Sequence, residues 1–142
     1  MSALNPFTGS SSFPDHLQRG QYGEKLARRF LQRRGLKYLT RNYASVRGEI
    51  DLLFRECQTL VFVEVRTRTG EQWQSPAASV DRAKKRRLMH AAKDYLQELE
   101  VVVPYHRFDI VEVILKRNRS LVTIRHIAGA FVSEILSPQG NH

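Results

Sequence analysis

The chain has 142 residues, 23 lysines and arginines against 14 acids, a formal net charge of +9 and a single cysteine. That length suits one domain with its own core, and a lone Cys57 excludes an internal disulfide framework or a cysteine-rich zinc site and fits a reducing compartment. No apolar run approaches the ~18 residues of a membrane span, and the first fifteen residues lack the basic and apolar regions of a secretory signal; the expectation is a soluble cytoplasmic protein, away from membranes, whose excess charge seeks a polyanion.

Residues 1–15 are rich in Ser, Pro and Gly without periodicity and read as a disordered arm ahead of a domain over 16–137, with a short tail at 138–142. The spacing of Leu26, Ala27, Phe30 and Leu31 predicts a helix from about Gly20 to Arg34, stopped by Gly35. Its other face carries Lys25, Arg28, Arg29 and Arg33. From His16 to Arg47 there are nine basic residues, among them Arg19, Arg34, Lys37, Arg41 and Arg47, and one acid, Glu24. A short strand follows near Leu36–Asn42. Glu49–Phe54 and Leu60–Thr67 are strongly β-like and read as an antiparallel hairpin about a polar turn at Arg55–Thr59.

Thr69–Ala78 looks like a loop. A second helix spans about Val80–Leu99, with Val80, Leu88, Ala91, Ala92, Tyr95, Leu96 and Leu99 on one face and Ser79 or Asp81 as its cap. It opens on a second basic cluster, Arg82, Lys84, Lys85, Arg86 and Arg87. Pro104 breaks the chain. Arg107–Leu115 alternates as a strand, Lys116, Arg117 and Arg119 mark a turn, Leu121–Ile127 reads as a last strand, and Gly129–Leu136 as a short terminal helix. The order α-β-β-β-α-β-β makes an α/β three-layer sandwich around a mixed sheet. A basic run is ordinarily a solvated helix face; two dense clusters with almost no interleaved acid repel each other unless a partner neutralises them.

The scarce acids fall on the hairpin. Side chains alternate along a strand, so Glu49 and Asp51 share one face of its first strand and Glu64 and Arg66 one face of its second. Across the ladder Asp51 and Glu64 come close, where two carboxylates repel unless a cation sits between them or one holds a proton. Hard oxygen ligands of that kind suit Mg²⁺, and a cation two residues beyond the second carboxylate suits phosphate charge. A solvent-facing hairpin with cross-strand ion pairs gives the same alternation. The apolar neighbours Leu52-Leu53-Phe54 and Leu60-Val61-Phe62-Val63 point instead to a central hairpin covered on both faces, where unpaired carboxylates are costly.

Asp51 followed by Glu64-Val65-Arg66 resembles the D…ExK core of the PD-(D/E)XK nuclease superfamily. More closely, the chain resembles the YraN-like family of small bacterial predicted endonucleases, distantly similar to archaeal Holliday-junction resolvases. Gly23-Glu24, Arg41-Asn42, Gly48-Glu49-Ile50-Asp51-Leu52, Val61 to Arg66 with Arg68, Ala78-Ser79-Val80 with Lys84, Ala91-Ala92…Tyr95-Leu96, Arg107-Phe108-Asp109 and Ala130-Phe131 carry the likeness, over about residues 17–131. The resemblance implies a restriction-endonuclease-like fold and metal-dependent hydrolysis of DNA, branched or junction DNA included. It implies Mg²⁺ or Mn²⁺ on Asp51, Glu64 and the Val65 carbonyl, Glu24 as a further carboxylate, Glu49 behind them, and Lys84 near the site. A homodimer is expected by analogy.

The departure lies at Arg66, where the superfamily pattern has lysine. Arginine cannot act as a base but can hold a phosphate bidentately, so the base falls to water on the metal or to a carboxylate such as Glu24, and Lys84 can supply the missing ammonium. Lys25, Arg28, Arg29, Arg33, Arg41, Arg47, Arg68, Arg82, Lys85 and Arg86 are the expected nucleic-acid contacts. Two other readings stay open: a catalytically inactive nucleic-acid-binding module of the same fold, and a basic surface for an acidic protein. Trp73 suits either stacking on a base or packing against the sheet. The five histidines include no i, i+4 pair, and no phosphate-loop or serine-hydrolase motif occurs.

Overall fold

A computed structural model of the chain describes residues 15–70, 82–103 and 105–132. Its elements run α1 (Asp15–Arg33), β1 (Lys37–Ser45), β2 (Gly48–Glu56), β3 (Thr59–Thr69), α2 (Arg82–Glu98), β4 (Tyr105–Leu115) and β5 (Leu121–Phe131). Residues 1–14 of the expected arm, most of the loop after Thr69, the caps Ser79 and Asp81, Val80, Trp73, Pro104 and the tail lie outside the described residues, and Asp15, the last residue of that arm, opens α1. No helix among the described residues is long and apolar enough to cross a membrane.

The five strands lie in chain order in one sheet. β1–β2, β2–β3 and β4–β5 pair antiparallel, whereas β3 and β4 pair in parallel over Thr59–Thr69 and Tyr105–Leu115. A parallel pair needs a long crossover, and α2 lies within it. The sheet is therefore mixed, with a helix on each face. On one face Ala27 and Leu31 of α1 bury against Leu52, Phe54, Val61, Val63, Val65, Val111 and Val113. On the other, Leu88, Ala91 and Ala92 of α2 bury against Ile50, Leu53, Phe62 and Phe108. The hairpin is thus covered on both faces, as its unbroken apolar runs require. The expected three-layer α/β sandwich, with its element order, is the architecture found.

Local chemistry explains the ends of α1. Gly35 takes φ 91°, its N–H donates to Gln32 O (3.0 Å) and the Leu36 N–H to Leu31 O (3.2 Å), the two bonds of a Schellman stop. Leu31 and Leu36 then meet in the core. At the other end α1 starts at Asp15, five residues before the expected Gly20, and runs through two glycines. One of these is required: a Cβ on Gly23 would stand 1.8 Å from Thr67 Oγ1 and 3.0 Å from Thr67 Cβ. Only a bare α-carbon lets α1 approach β3 so closely.

The expected terminal helix over Gly129–Leu136 is not found. Gly129–Phe131 are the last residues of β5, and 133–136 lie outside the described residues. Two nonlocal contacts extend the strand. Phe131 stacks on Phe108 with ring centroids 5.0 Å apart, and the Gly129 N–H, at φ 60°, donates to Asp109 Oδ1 (3.0 Å). Asp109, fully buried, also takes bonds from Arg107 (3.0 Å) and meets His126 Nε2 at 2.7 Å. Burial alone would raise its pKa, but the bonds from His126, Arg107 and Gly129 hold the carboxyl below its ordinary value.

Gly48 seats α2 on the sheet, since a Cβ there would lie 2.0 Å from the Arg87 carbonyl oxygen. Backbone cannot swing aside as a side chain can. Gly48→Ala should therefore cost about 1–3 kcal/mol, the usual range for overpacking, read as a lower denaturation midpoint in urea.

Candidate functional site

The β2–β3 ladder runs from Glu56–Thr59 only as far as Leu52–Val63. Beyond that pair β2 leaves β3, and Glu64–Thr69 continue beside β4 alone. Side-chain alternation slips at the same place: Ile50 packs on the α2 side and Leu52 on the α1 side, two residues apart. Asp51 lies between them and turns to the exposed edge of β3. Its Oδ2 accepts the Val65 N–H at 2.9 Å, so a carboxylate replaces the missing strand partner. Because N–H and C=O of one strand residue point to the same edge, the Val65 carbonyl also faces this gap.

The gap is a cleft of about 540 Å³ lined by Arg19, Gly20, Glu24, Asp51, Val65, Arg66, Thr67, Arg68 and Lys84. Four of the five expected catalytic side chains line it. The fifth, Glu64, is 4% exposed and lies beneath Lys84, whose Nζ is 2.9 Å from Glu64 Oε1. That oxygen takes no well-directed hydrogen bond, so the contact is one of charge. α1 brings Glu24 in through the Gly23–Thr67 approach, and α2 brings Lys84 in from the opposite layer.

The carboxylates are out of their ordinary ranges. Desolvation, then the charge of Glu64, pushes Asp51 up to about 8 against the Val65 N–H that lowers it. Glu24 is also raised, by desolvation first, with Arg41 opposing and Glu49 and Glu64 adding. Glu24 and Asp51 in the cleft and Glu64 beneath it thus feel one another, and burial beside Glu64 favours the protonated form of Asp51. Among the described residues no three His, Cys, Asp or Glu side chains converge as a preformed metal cage. The oxygen donors that lie together here are two carboxylates and a backbone carbonyl edge.

The expected nucleic-acid contacts divide. Lys25, Arg29 and Arg33 are exposed along α1, Arg41 on β1, and Arg82 and Arg86 at the start of α2. Arg68 lines the cleft. Three others are engaged within the fold. Arg28 lies 3.6 Å from the centroid of the Tyr38 ring, Lys85 5.3 Å from that of Phe131, and Arg47 bonds Asp94. Glu49 is exposed, close enough to Glu24 for its charge to register. Two residues of the site lie outside the expected set, although Arg19 belongs to the basic run from His16 to Arg47. Arg19 precedes the apolar pattern of α1, and Glu112 is a buried acid set opposite Arg66 by the β3–β4 register. Only the parallel pairing across α2 brings Glu112 there.

Comparison with known proteins gives a family without an assigned activity. A family described as "Uncharacterised protein family UPF0102" matches residues 23–113, from Gly23 beside Glu24 to the strand that carries Glu112. A UPF0102 protein of Pelotomaculum thermopropionicum is 38% identical over 112 residues, 79% of this chain and 93% of its own length. One from Ralstonia pickettii is 47% identical over 117 residues, 80% and 87% of the two chains. One from Aeromonas hydrophila is 44% identical over 101 residues, 70% and 78%.

The raised Asp51 carboxyl sets a pH dependence. The folded chain holds a proton that the unfolded chain has already released, so stability falls as pH rises from the ordinary carboxylate range to about 8. The limiting slope for one such group is about 1.4 kcal/mol per pH unit. In urea titrations across that window the wild type should lose stability with rising pH, and Asp51→Asn should show a flatter profile.

Proposed function

This chain belongs to the UPF0102 family, and from its cleft we propose that it is a divalent-metal-dependent nuclease of the PD-(D/E)XK kind, acting on the phosphodiester backbone of DNA. The observation that carries this reading is the meeting of Asp51 and Glu64 at the parting of β2 and β3, with the Val65 backbone turned to the same gap. An apolar sheet does not bring two carboxylates together at a desolvated edge for stability, since each charge opposes the other. A cation removes that opposition.

The residues fit such a cation. Mg²⁺ prefers hard oxygens, one or two carboxylates, and keeps room for water and phosphate; Mn²⁺ accepts the same ligands. Asp51, Glu64 and the Val65 carbonyl would hold it, and the proton on Asp51 marks where positive charge is wanted. When bound, the cation draws electron density from the phosphodiester and makes water in the site more acidic.

The remaining steps belong to the side chains. Glu24, its pKa raised by desolvation, takes the proton of the attacking water on a carboxylate oxygen as the water oxygen bonds to phosphorus; the P–O bond to the leaving sugar oxygen breaks, and that oxygen takes a proton from solvent. Arg66 holds a non-bridging phosphate oxygen with its guanidinium and offsets the charge that grows there. It cannot serve as the base. Lys84 covers Glu64 while the cleft is free and turns to the phosphate once a cation takes its place. The exposed basic residues at the start of α2 and along α1 extend the surface on which a DNA strand lies. The Lys84–Glu64 pair also favours a second reading, a binding module of this fold that has given up turnover, because an ammonium already neutralises one of the two carboxylates.

Labelled single-stranded, flapped and branched DNA incubated with Mg²⁺ or Mn²⁺ separates the two. The nuclease reading expects cleavage by the wild type and losses on the order of 10²–10³-fold or more in Asp51→Ala and Glu64→Ala. Cleavage that survives both substitutions places the activity elsewhere. No cleavage by the wild type or by Arg66→Lys, with binding retained, leaves the binding module.

A further inference from the structure

At the far end of the same cleft two arginines remain outside the chemistry just described. Arg19, in the first turns of α1, donates from Nη1 to Thr69 Oγ1 at 2.8 Å. Its Nε is buried and bonds to nothing. Arg68, three residues beyond Val65 on β3, has its Nε 3.4 Å from Oε2 of Glu112. Glu112 is fully buried and neither of its oxygens takes a well-directed hydrogen bond. Both arginines line the cleft. Between them lies Thr67, whose backbone N–H points to the same edge of β3 as that of Val65.

We propose that Arg19 and Arg68, with the Thr67 amide between them, form a second phosphate subsite, which takes the phosphodiester neighbouring the one at Asp51 and Glu64. The proposal rests on the nucleic-acid reading of the cleft and adds to it where the strand runs. It follows β3. At about 3.3 Å per residue Val65 to Thr67 covers roughly 7 Å and Val65 to Thr69 roughly 13 Å, about one to two nucleotides of an extended strand.

Each arginine is prepared for an anion. A guanidinium carries five donors in a rigid fork, and Arg19 is oriented by its bond to Thr69 while it lines the cleft. Phosphate oxygens supply acceptors in that geometry. Arg68 is fixed from behind: a buried carboxylate without other partners is costly unless a cation stays against it, so Glu112 anchors the Nε side while the residue faces the cleft. Glu112 is thus a positioning residue for Arg68. A purely structural clamp, with Arg19 fastening α1 to Thr69, accounts for the single bond but not for the pair of guanidinia on one open cleft.

The test is binding of a fluorescent single-stranded oligonucleotide in EDTA, followed by anisotropy against salt, together with thermal melts of each protein. One phosphate contact on a single strand contributes about 0.7 to the slope of log affinity on log salt. Arg19→Gln should lower the slope by about that amount while the protein stays folded at the assay temperature, its melt lowered only by the lost bond to Thr69, and Arg19→Lys should restore the slope. Arg68→Gln, made together with Glu112→Gln so that no buried charge is left alone, should remove a similar increment. A single neutral methylphosphonate moved along the strand should weaken the wild type at one position where it costs Arg19→Gln nothing. An unchanged slope in Arg19→Gln, or a methylphosphonate that costs both proteins equally at every position, overturns the subsite while the nucleic-acid reading stands. A wild type whose binding does not depend on salt overturns both.

Discussion

Asp51 bonds the Val65 amide where a neighbouring strand would otherwise stand. That one contact closes the β2–β3 ladder and opens the cleft. Had the ladder continued, residues beyond Val65 would be paired to β2 and no carboxylate could reach their edge. Because β2 departs instead, one edge of β3 faces the cleft while its other edge stays locked to β4 over eleven residues. A central strand forms the floor of the cleft, and the two helices on opposite faces reach it through glycines. Gly23 admits α1 and Glu24, and Gly48 admits α2 and Lys84.

The charge distribution follows from this geometry. A net +9 over the chain is a weak statement about function, since it does not say where the cations lie: Arg47 and Arg68 stand against Asp94 and Glu112, and Arg28 lies over the Tyr38 ring. What remains is more specific. Desolvated acids occupy the middle of the cleft, cations its ends, and exposed arginines and lysines the helices on either side. Acids alone would repel a phosphate, and cations alone would hold it without acting on it. Together they fit an anion that arrives with a divalent cation.

Much of this was legible in the sequence, and for identifiable reasons. Unbroken apolar runs flanking Asp51 and Glu64 describe a strand pair covered on both faces, and acids within such runs stand out against their surroundings. The stop at Gly35 and the apolar stripe of α1 are local signals as well. The strict alternation expected around Asp51 fails because β2 bends away there, a consequence of pairing rather than of composition. Arg19 was hidden because the first turns of α1 carry no apolar period and are held by Thr69, fifty residues away. Glu112 was hidden because its place opposite Arg66 depends on a parallel register set across α2. The end of β5 was misjudged for a similar reason: Phe131 is held extended by Phe108 and Gly129 by Asp109, neither of them near in the chain.

The central claim is that the parting of β2 and β3 holds a divalent cation on Asp51 and Glu64. Titrating Mn²⁺ into ¹⁵N-labelled protein tests it most directly, because the paramagnetic ion broadens amide signals according to their distance from it. The account predicts loss of the Asp51, Glu64 and Val65 signals first, with Mg²⁺ competing and Asp51→Asn abolishing the effect. Broadening centred elsewhere, or signals at the β3 edge that persist at saturating Mn²⁺, would contradict it.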